Sequence, residues 1–250
     1  VIAAPLPTPA SMGFPGVEET FKILVDIPEG DRPIVFTAYR TGPERTSLGV
    51  GVAFEEYVTK APVGTESFEE YHRLLLLTIG DLKIVVRTEV DAVASDPQNG
   101  PLPTDWKLCK KSEKMHYKAY GKFNANETVV EMKSKSAFFP DFPWRSTFYQ
   151  MLLGKVDKLV LGWHKKGSFE PPKEYTFSEV RKRVDDDVDK RLRQLGALLR
   201  RLLEVGKQED IPKALELSWD GGRADLVVQA RKVENSGTAE TRRFVESFIE

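Results

Sequence analysis

The chain has 250 residues, 40% hydrophobic and 30% charged, a composition typical of a globular protein large enough to bury a sizeable core. Lys and Arg total 37 against 38 Asp and Glu, so the net charge of -1 provides no general attraction to nucleic acid or to an anionic membrane, and a polyanion would need a local patch. The one cysteine, Cys109, excludes an internal disulfide framework and a zinc site built from cysteines.

The N-terminal stretch is predicted to be an extended arm. Residues 1 to 17 are rich in Pro and Ala and carry no charge, and the chain begins with Val, so we expect further residues to precede Val1 in the full-length protein. The stretch lacks the basic region of a signal peptide, and no apolar run approaches the roughly 20 residues that a membrane helix needs. We therefore expect an intracellular protein, nuclear or cytoplasmic, with no membrane contact.

Residues 18 to 250 are predicted to form a single domain that starts with strands. The segments TFKILVDIP and PIVFTAYRT are rich in β-branched and aromatic residues and are bounded by Pro and Gly, which predicts two strands. The segment SLGVGVAFEEYVTK ends in residues typical of a helix. YHRLLLLTIGDLKIVVRTEVDAVA then predicts two strands joined as a hairpin at Gly80-Asp81.

Residues 95 to 127 interrupt this pattern and are predicted to be an insertion between two strands. Pro, Gly and Asn lie at its edges, and its centre, KLCKKSEKMHYKAYGK, holds six Lys among aromatic residues. One interpretation is a solvated loop. The other is a lid whose cations contact phosphates and whose rings stack on the bases of single-stranded RNA. The second interpretation assigns RNA binding to Lys114, Tyr117, Lys118, Tyr120 and Lys122.

The second half continues as a mixture of strands and helices. TVVEMKSKS resumes the sheet, STFYQMLLGK predicts a helix capped by Ser146, and VDKLVLGWHKKGSFEPPKEYTF predicts a hairpin turned at Lys166-Gly167. From Ser178 to about Gly206 apolar residues recur at the spacing of one helical face, which predicts a single long helix. RADLVVQARKV adds a strand and AETRRFVESFIE a short helix. The predicted fold class is α+β, with a mixed central β-sheet flanked by helices.

Two of the predicted strands carry acids that share a face. Side chains two residues apart in a strand point the same way, about 6.6 Å apart, so Glu89 and Asp91 lie together, as do Glu131 and Lys133. If the two faces meet, three carboxylates converge with a lysine. Such carboxylates repel one another and need a cation, and hard oxygen ligands suit Mg²⁺ or Mn²⁺, which would activate water and neutralise a phosphodiester. The alternative is that the acids form the solvated face of a half-exposed sheet.

The order of these motifs resembles that of the PD-(D/E)XK nucleases and, more narrowly, the DXO-type decapping exonuclease family. That family combines Gly-x-hydrophobic-hydrophobic-Glu, Glu-hydrophobic-Asp, Glu-hydrophobic-Lys and a downstream Gln, and GVAFE, EVD, EMK and the Gln of YQMLLGK occur here in that order. The resemblance covers roughly residues 35 to 180 and implies a PD-(D/E)XK nuclease-like, DXO-type fold. The catalytic residues that it implies are Glu55, Glu89, Asp91, Glu131, Lys133 and Gln150. The metal ligands that it implies are Glu55, Asp91, Glu131 and the carbonyl of Met132.

The resemblance further implies a metal-dependent hydrolase, using Mg or Mn, that acts on RNA 5′ ends. Decapping, pyrophosphohydrolase activity and 5′-to-3′ exonuclease activity all occur in this family, and a 5′-to-3′ exonuclease is an expected partner beside the RNA 5′ end. The alternative hypothesis is a catalytically inactive DXO-like module that binds RNA or a partner exonuclease. In that case the acids would be only a solvated face.

A weaker hypothesis is prenyl diphosphate synthesis. DDDVD at residues 185 to 189 matches an aspartate motif of prenyl diphosphate synthases, whereas HRLLLLTIGDLKIVVRTEVDAV resembles fungal proteins of the DXO type that often carry the label geranylgeranyl pyrophosphate synthetase. Prenyl diphosphate synthases are all-helical and need a second aspartate motif. A charged outer face of an amphipathic helix explains the acids better.

Overall fold

The computed structural model of the protein describes residues 2–3, 21–27, 34–39, 49–61, 71–94, 107–108, 116–117, 128–139, 141–206, 214–219 and 227–230. Fourteen strands and four helices lie within these residues. The strands are β1 (Ile2–Ala3), β2 (Phe21–Asp26), β3 (Val35–Tyr39), β4 (His72–Ile79), β5 (Leu82–Glu89), β6 (Ala92–Val93), β7 (Lys107–Leu108), β8 (His116–Tyr117), β9 (Val129–Ser136), β10 (Lys158–Lys165), β11 (Ser168–Phe169), β12 (Lys173–Thr176), β13 (Ala214–Trp219) and β14 (Val227–Ala230). The helices are α1 (Val50–Val58), α2 (Trp144–Gly154), α3 (Phe177–Arg181) and α4 (Asp187–Gly206).

Two mixed sheets contain most of the strands. The seven-stranded sheet has the order β14-β13-β2-β3-β1-β5-β4, and β1 runs parallel to both of its neighbours while the other pairs are antiparallel. The five-stranded sheet has the order β11-β10-β9-β6, with β12 also paired to β10, and β9 runs parallel to β10. The pair β7-β8 is separate. Mixed sheets with helices confirm the predicted α+β class.

Both predicted hairpins are present at the predicted turns. Strands β4 and β5 pair from His72 opposite Glu89 to Ile79 opposite Leu82, and Gly80 in the turn has a positive φ of 64°. Strands β10 and β11 are joined by Lys166 and Gly167, which have φ values of 51° and 86°. In the Lys166-Gly167 turn both central residues have a positive φ, as required by the two-residue hairpin turn whose twist matches that of the flanking strands.

Three apolar clusters form the core of the described residues. One joins the seven-stranded sheet to α4 through residues such as Val25, Ile84 and Leu199. A second packs α2, α3 and the start of α4 on the five-stranded sheet. The third is small and joins Phe54 of α1 to Val130 of β9 and its neighbours. None of the described helices is long and apolar enough to cross a bilayer.

The single long helix predicted over residues 178 to 206 is wrong, because the structure contains two helices there. Helix α3 begins with a capping box at Thr176, whose side chain accepts from the Glu179 backbone N–H, and ends at Arg181. Helix α4 begins only at Asp187. The break coincides with a run of aspartates, whose side chains compete for backbone hydrogen bonds and favour helix ends over helix interiors.

Two further predictions need correction. Ser146 does not cap α2, which begins at Trp144 after Pro143, and the Ser146 hydroxyl instead donates to the Pro143 carbonyl at 3.1 Å. Strand β13 was not predicted at all, although it pairs with β2 along its whole length. Its sequence, ALELSW, holds only six residues, and its pairing depends on a strand about 190 positions earlier in the chain.

Several predictions lie mainly outside the described residues and stay predictions. They are the extended arm over residues 1 to 17, the boundaries of the single domain, the insertion over residues 95 to 127 and the C-terminal helix over residues 239 to 250. The residues that flank the insertion, Ala94 and Thr128, are described. The Ala94 N–H donates to the Thr128 carbonyl at 2.9 Å, beside the pairing of β6 with β9, so the chain leaves and re-enters the sheet at one place.

Candidate metal and active site

The acidic residues gather where one strand passes from one sheet into the other. Strand β5 ends at Glu89 in the seven-stranded sheet, and β6 begins at Ala92 in the five-stranded sheet, so Asp91 lies at the crossing. Ala92 pairs antiparallel with Val130 of β9, and a carboxylate oxygen of Asp91 accepts from the Met132 N–H at 2.7 Å. This hydrogen bond holds the Asp91 carboxylate against β9.

Strand β9 places Glu131 in the interior. The strand lies between β6 and β10, its first four residues are buried, and the Glu131 side chain is 3% exposed. The register sets Glu131 beside Leu159, which is fully buried. A solvated face therefore does not describe Glu131, although Glu89 at the end of β5 is exposed.

Lys133 provides the positive charge of this region. Its ammonium Nζ forms an ion pair with the Glu131 carboxylate, and about a third of its side chain, 34%, is exposed. Burial alone would lower its pKa, but the carboxylates of Glu131, Asp91 and Glu55 outweigh burial and raise the pKa of Lys133. Lys133 therefore stays protonated and reaches from the buried acid toward solvent.

Helix α1 adds a fourth carboxylate, that of Glu55. The preceding residue, Phe54, is completely buried against β9 and β10 and stacks on Phe169 with ring centroids 5.0 Å apart. Gly162 of β10 makes this packing possible, because a Cβ there would lie within 3.0 Å of the Phe54 ring. The contact fixes α1 on the sheet and leaves the Glu55 side chain half-buried.

Burial and neighbouring carboxylates raise the pKa of two of the acids. Burial raises the pKa of Glu131 to about 7, Asp91 and Glu89 add to that rise, and Lys133 opposes it. Burial also raises the pKa of Glu55, again with Asp91 and Glu89 adding and Lys133 opposing. Three of the acids, Glu55, Asp91 and Glu131, thus share one lysine, and the repulsion among the carboxylates favours an additional cation.

The structure shows fewer contacts between the acids and the remaining predicted site residues. Gln150 is exposed on α2, and no hydrogen bond joins it to the acids within the part of the chain that the structure describes. Met132 packs its side chain against Phe54, while its backbone N–H holds Asp91. Tyr117 is described only as backbone of β8. Lys114, Lys118, Tyr120 and Lys122 lie outside the described residues.

The oxygen atoms of these residues are suitable ligands for a hard cation. The carboxylates lie farther apart, however, than the ligands of one bound ion. Carboxylate oxygens and a backbone carbonyl are ligands that Mg²⁺ and Mn²⁺ prefer, and repelling carboxylates gain from a cation. Among the described residues, no three His, Cys, Asp or Glu side chains lie close enough to hold a metal ion together. Binding would require the side chains of Glu55, Asp91 and Glu131 to draw inward.

Sequence reasoning missed the contact that positions Glu55. A signal was present, because Gly162 interrupts the apolar strand KLVLGWHK, and a glycine inside a strand often marks a close approach of another element. The partner of that approach, Phe54, stands directly before the acid in GVAFE. The two features together predict a helix packed on a strand at the motif.

The acids of the DDDVD stretch lie on the surface, but Asp185 and Asp186 fall in the break before α4 and not on a helix face as predicted. Val188 is buried, while the neighbouring acids are about half exposed or more and pair with arginines. The pairs are Arg145–Asp185, Arg191–Asp187 at 3.6 Å and Arg181–Asp189 at 3.8 Å. Three of the four acids, Asp185, Asp187 and Asp189, thus already have cationic partners.

Comparison with known proteins identifies a family and a fold. The family described as "Domain of unknown function (DUF8563)" matches residues 41–218. No curated protein shows a significant match. Among solved structures, S. pombe Rai1 in complex with 3′-FADP has 16% identity and a TM-score of 0.61, with 86% of this chain and 65% of that chain covered.

A second fungal structure is similar to a comparable degree. Scheffersomyces stipitis Rai1 in complex with (3′-NADP)⁺ and calcium ion has 15% identity and a TM-score of 0.58, with 91% of this chain and 68% of that chain covered. The chain therefore spans about two thirds of the length of these proteins. The likeness confirms a DXO-like fold. It does not support the geranylgeranyl pyrophosphate synthetase label.

Proposed function

Because the chain belongs to the DUF8563 family, whose description assigns no activity, the site itself must indicate one, and we propose a divalent-metal-dependent hydrolase that acts on RNA 5′ ends. One observation carries the proposal: three separate chain segments bring four carboxylates into electrostatic contact with one another, and three of the four also act on one lysine. The residues are Glu55, Glu89, Asp91, Glu131 and Lys133. A buried acid such as Glu131, whose pKa is raised by burial and by neighbouring carboxylates, is more common at functional sites than elsewhere.

Each residue has a distinct proposed role. Glu55, Asp91, Glu131 and the Met132 carbonyl would hold Mg²⁺ or Mn²⁺, which when bound lowers the pKa of water and neutralises phosphate charge. Lys133, protonated beside Glu131, donates a hydrogen bond to a phosphate oxygen or to the attacking water. Glu89, exposed at the end of β5, accepts a proton from that water, and Gln150 contacts the substrate from α2.

The fold adds support to the choice of substrate. Rai1 from Scheffersomyces stipitis was crystallised with (3′-NADP)⁺ and a calcium ion, and Rai1 from S. pombe with 3′-FADP. A phosphorylated dinucleotide together with a divalent ion suits a site built from carboxylates and a lysine. We propose the RNA 5′ end as the substrate, Mg or Mn as the cofactor, a 5′-to-3′ exonuclease as a partner, and a nuclear or cytoplasmic location.

RNA binding by the segment over residues 95 to 127 is part of this proposal. The residues that flank that segment, Ala94 and Thr128, are hydrogen-bonded beside the pairing of β6 with β9, so the chain departs close to the acidic group. Its lysines and tyrosines are the residue types that bind phosphates and stack on bases. The proposed contacts are Lys114, Tyr117, Lys118, Tyr120 and Lys122.

A specific observation favours the second candidate, a DXO-like module that binds RNA or a partner exonuclease without cleaving. The described acids are spaced too widely to hold an ion together, and Gln150 is exposed. Fold likeness at 16% identity is compatible with either candidate, because a fold can persist after its chemistry is lost.

Cleavage measurements separate the two candidates. The whole chain is incubated with Mg²⁺ or Mn²⁺ and with RNAs that differ only in the 5′ group: a cap, a triphosphate or a monophosphate. We expect 5′ products, which Asp91→Asn and Glu131→Gln reduce by at least about 100-fold, since each removes a charged ligand. Glu174→Gln, an exposed acid paired with Lys158, serves as the matched control and should retain activity.

Two results would decide against the hydrolase. If no RNA is cleaved under either ion, the binding module is the better description. If cleavage occurs but survives Glu131→Gln, the reaction takes place at another site.

A further inference from the structure

The carboxyl ends of β9 and β10 lie side by side at one edge of the five-stranded sheet. The two strands are parallel, with Ser136 in register with His164, and the Ala137 N–H donates to the His164 carbonyl at 2.8 Å. A turn follows β9, and the tight turn at Lys166-Gly167 follows β10. Residues of both turns therefore share a single exposed surface.

Two adjacent phenylalanines project from the turn after β9. The Phe138 side chain is 58% exposed and that of Phe139 is 71% exposed. The turn is held by Ser136, whose hydroxyl accepts from the Phe138 N–H at 3.3 Å and whose carbonyl accepts from the Phe139 N–H at 3.1 Å. Single exposed apolar residues are ordinary, but neighbouring exposed aromatic rings on an ordered turn suit a contact surface.

Three lysines lie near this turn, at the ends of β9 and β10. Lys135 precedes the turn on β9, and Lys165 and Lys166 are exposed at the end of β10. Two exposed acids are also near: Glu170 lies 3.7 Å from Lys165, and Asp141 follows the phenylalanines in the chain. The balance is positive by one charge at the edge itself.

We propose that this surface, the β9–β10 edge, binds single-stranded RNA whose 5′ end enters the acidic group. It consists of Lys135, Phe138, Phe139, Lys165 and Lys166. Exposed rings stack on bases of any sequence, and nearby lysines contact the phosphates, which is how single strands are held without sequence preference. The inference rests on the proposed function for the direction of the strand, and it places a binding surface beyond the segment over residues 95 to 127.

The length of β9 sets the size of the RNA required. Five residues separate Glu131 from Ser136, and at about 3.3 Å per residue the edge lies roughly 16 Å from the buried acid. At a stacked spacing of about 3.4 Å per nucleotide, roughly five nucleotides span that distance. A dinucleotide in the acidic group cannot reach the phenylalanines, whereas a 12-nucleotide strand can.

The test measures binding without cleavage. Fluorescence anisotropy in EDTA compares a 12-nucleotide single-stranded RNA with a dinucleotide on the wild-type chain and on Phe138→Ala/Phe139→Ala. We expect the double variant to bind the longer RNA at least about 5-fold more weakly, the lower limit for losing one base-aromatic stack, and to bind the dinucleotide unchanged. Phe138→Tyr/Phe139→Tyr keeps the rings and should bind the longer RNA as the wild type does.

The lysines are tested through salt dependence. Lys165→Ala/Lys166→Ala should reduce the slope of log affinity against log salt by about 1.4, since each single-strand phosphate contact contributes about 0.7. The matched control is Lys190→Ala/Arg193→Ala, which removes two exposed charges from α4 and should leave the slope unchanged. Circular dichroism melts establish that every variant is folded.

The inference fails if the wild type does not bind the 12-nucleotide RNA, or if the alanine double variant binds it as the wild type does. Unchanged RNA binding would assign the exposed rings to a protein partner instead. An equal loss of affinity for the 12-nucleotide RNA and for the dinucleotide would place the effect at the acidic group rather than at the edge. That result would also overturn the inference. Because the readout is binding, absence of hydrolysis refutes the proposed function and leaves this result standing.

Discussion

Glu131→Gln should remove a pH dependence of stability from the protein. The Glu131 side chain is 3% exposed, and its pKa rises from the usual 4.5 to about 7 in the folded chain, chiefly through burial. Between these two pH values the folded chain keeps a proton that the unfolded chain has released. The free energy of unfolding therefore falls as the pH rises from 4.5 to 7, and this contribution is constant outside that window.

The size of the effect follows from the two pKa values. At about 1.4 kcal/mol per pKa unit, the gap between 4.5 and about 7 corresponds to at most about 3 kcal/mol. The glutamine variant has no carboxyl to titrate. Relative to the wild type, it should therefore become more stable by up to about 3 kcal/mol between pH 4.5 and pH 8.

Urea denaturation in EDTA at pH 4.5, 6 and 8 measures this difference. Glu174→Gln is the control, because that acid is exposed, pairs with Lys158 at 2.7 Å and should change stability by less than about 1 kcal/mol at every pH. If the difference between wild type and Glu131→Gln is the same at pH 4.5 and pH 8, burial does not hold the Glu131 carboxyl in its protonated form. The reasoning about the site would then be refuted.

Three other outcomes are expected. Mn²⁺ should raise the melting temperature of the wild type, EDTA should reverse the rise, and Asp91→Asn should abolish it; a rise that persists in this variant would mean that the ion binds elsewhere. Gly162→Ala should cost about 1–3 kcal/mol because its Cβ meets the Phe54 ring, whereas Gly51→Ala on α1, with ordinary contact to Ser134 at 3.7 Å, should be neutral or stabilising in the same melts. Thr176→Ala should cost about 1 kcal/mol by removing the capping box and Thr176→Ser much less, and equal losses in denaturation curves would contradict the capping role.

Local signals predicted those parts of the fold that depend on neighbouring residues. Each of the turns at Gly80-Asp81 and Lys166-Gly167 contains a glycine, which tolerates positive φ, and runs of apolar residues lie beside them. Both hairpins form as predicted. The break between α3 and α4 was not predicted, because apolar residues keep the helical spacing through the aspartates. That spacing does not take into account the preference of aspartate for helix ends.

Long-range features of the site could be predicted only in part. The motif order brought Glu55, Asp91 and Glu131 under consideration, but their burial depends on which strands flank β9. Alternating acids and apolar residues indicate a half-exposed strand, whereas β9 lies between β6 and β10 and has both faces covered in its first half. The Met132 N–H bond to Asp91 likewise depends on a pairing between residues about 40 positions apart.

The pairing of β6 with β9 makes the segment over residues 95 to 127 an exchangeable module. The residues that flank it are joined by a hydrogen bond of 2.9 Å from the Ala94 N–H to the Thr128 carbonyl, so the sheet does not depend on the length of the chain between them. Doubling or halving such a loop changes its closure entropy by only about 0.6 kcal/mol. Selection, or a protein engineer, can therefore replace the segment to alter what approaches Asp91 and Glu131 without rebuilding the sheet that carries them.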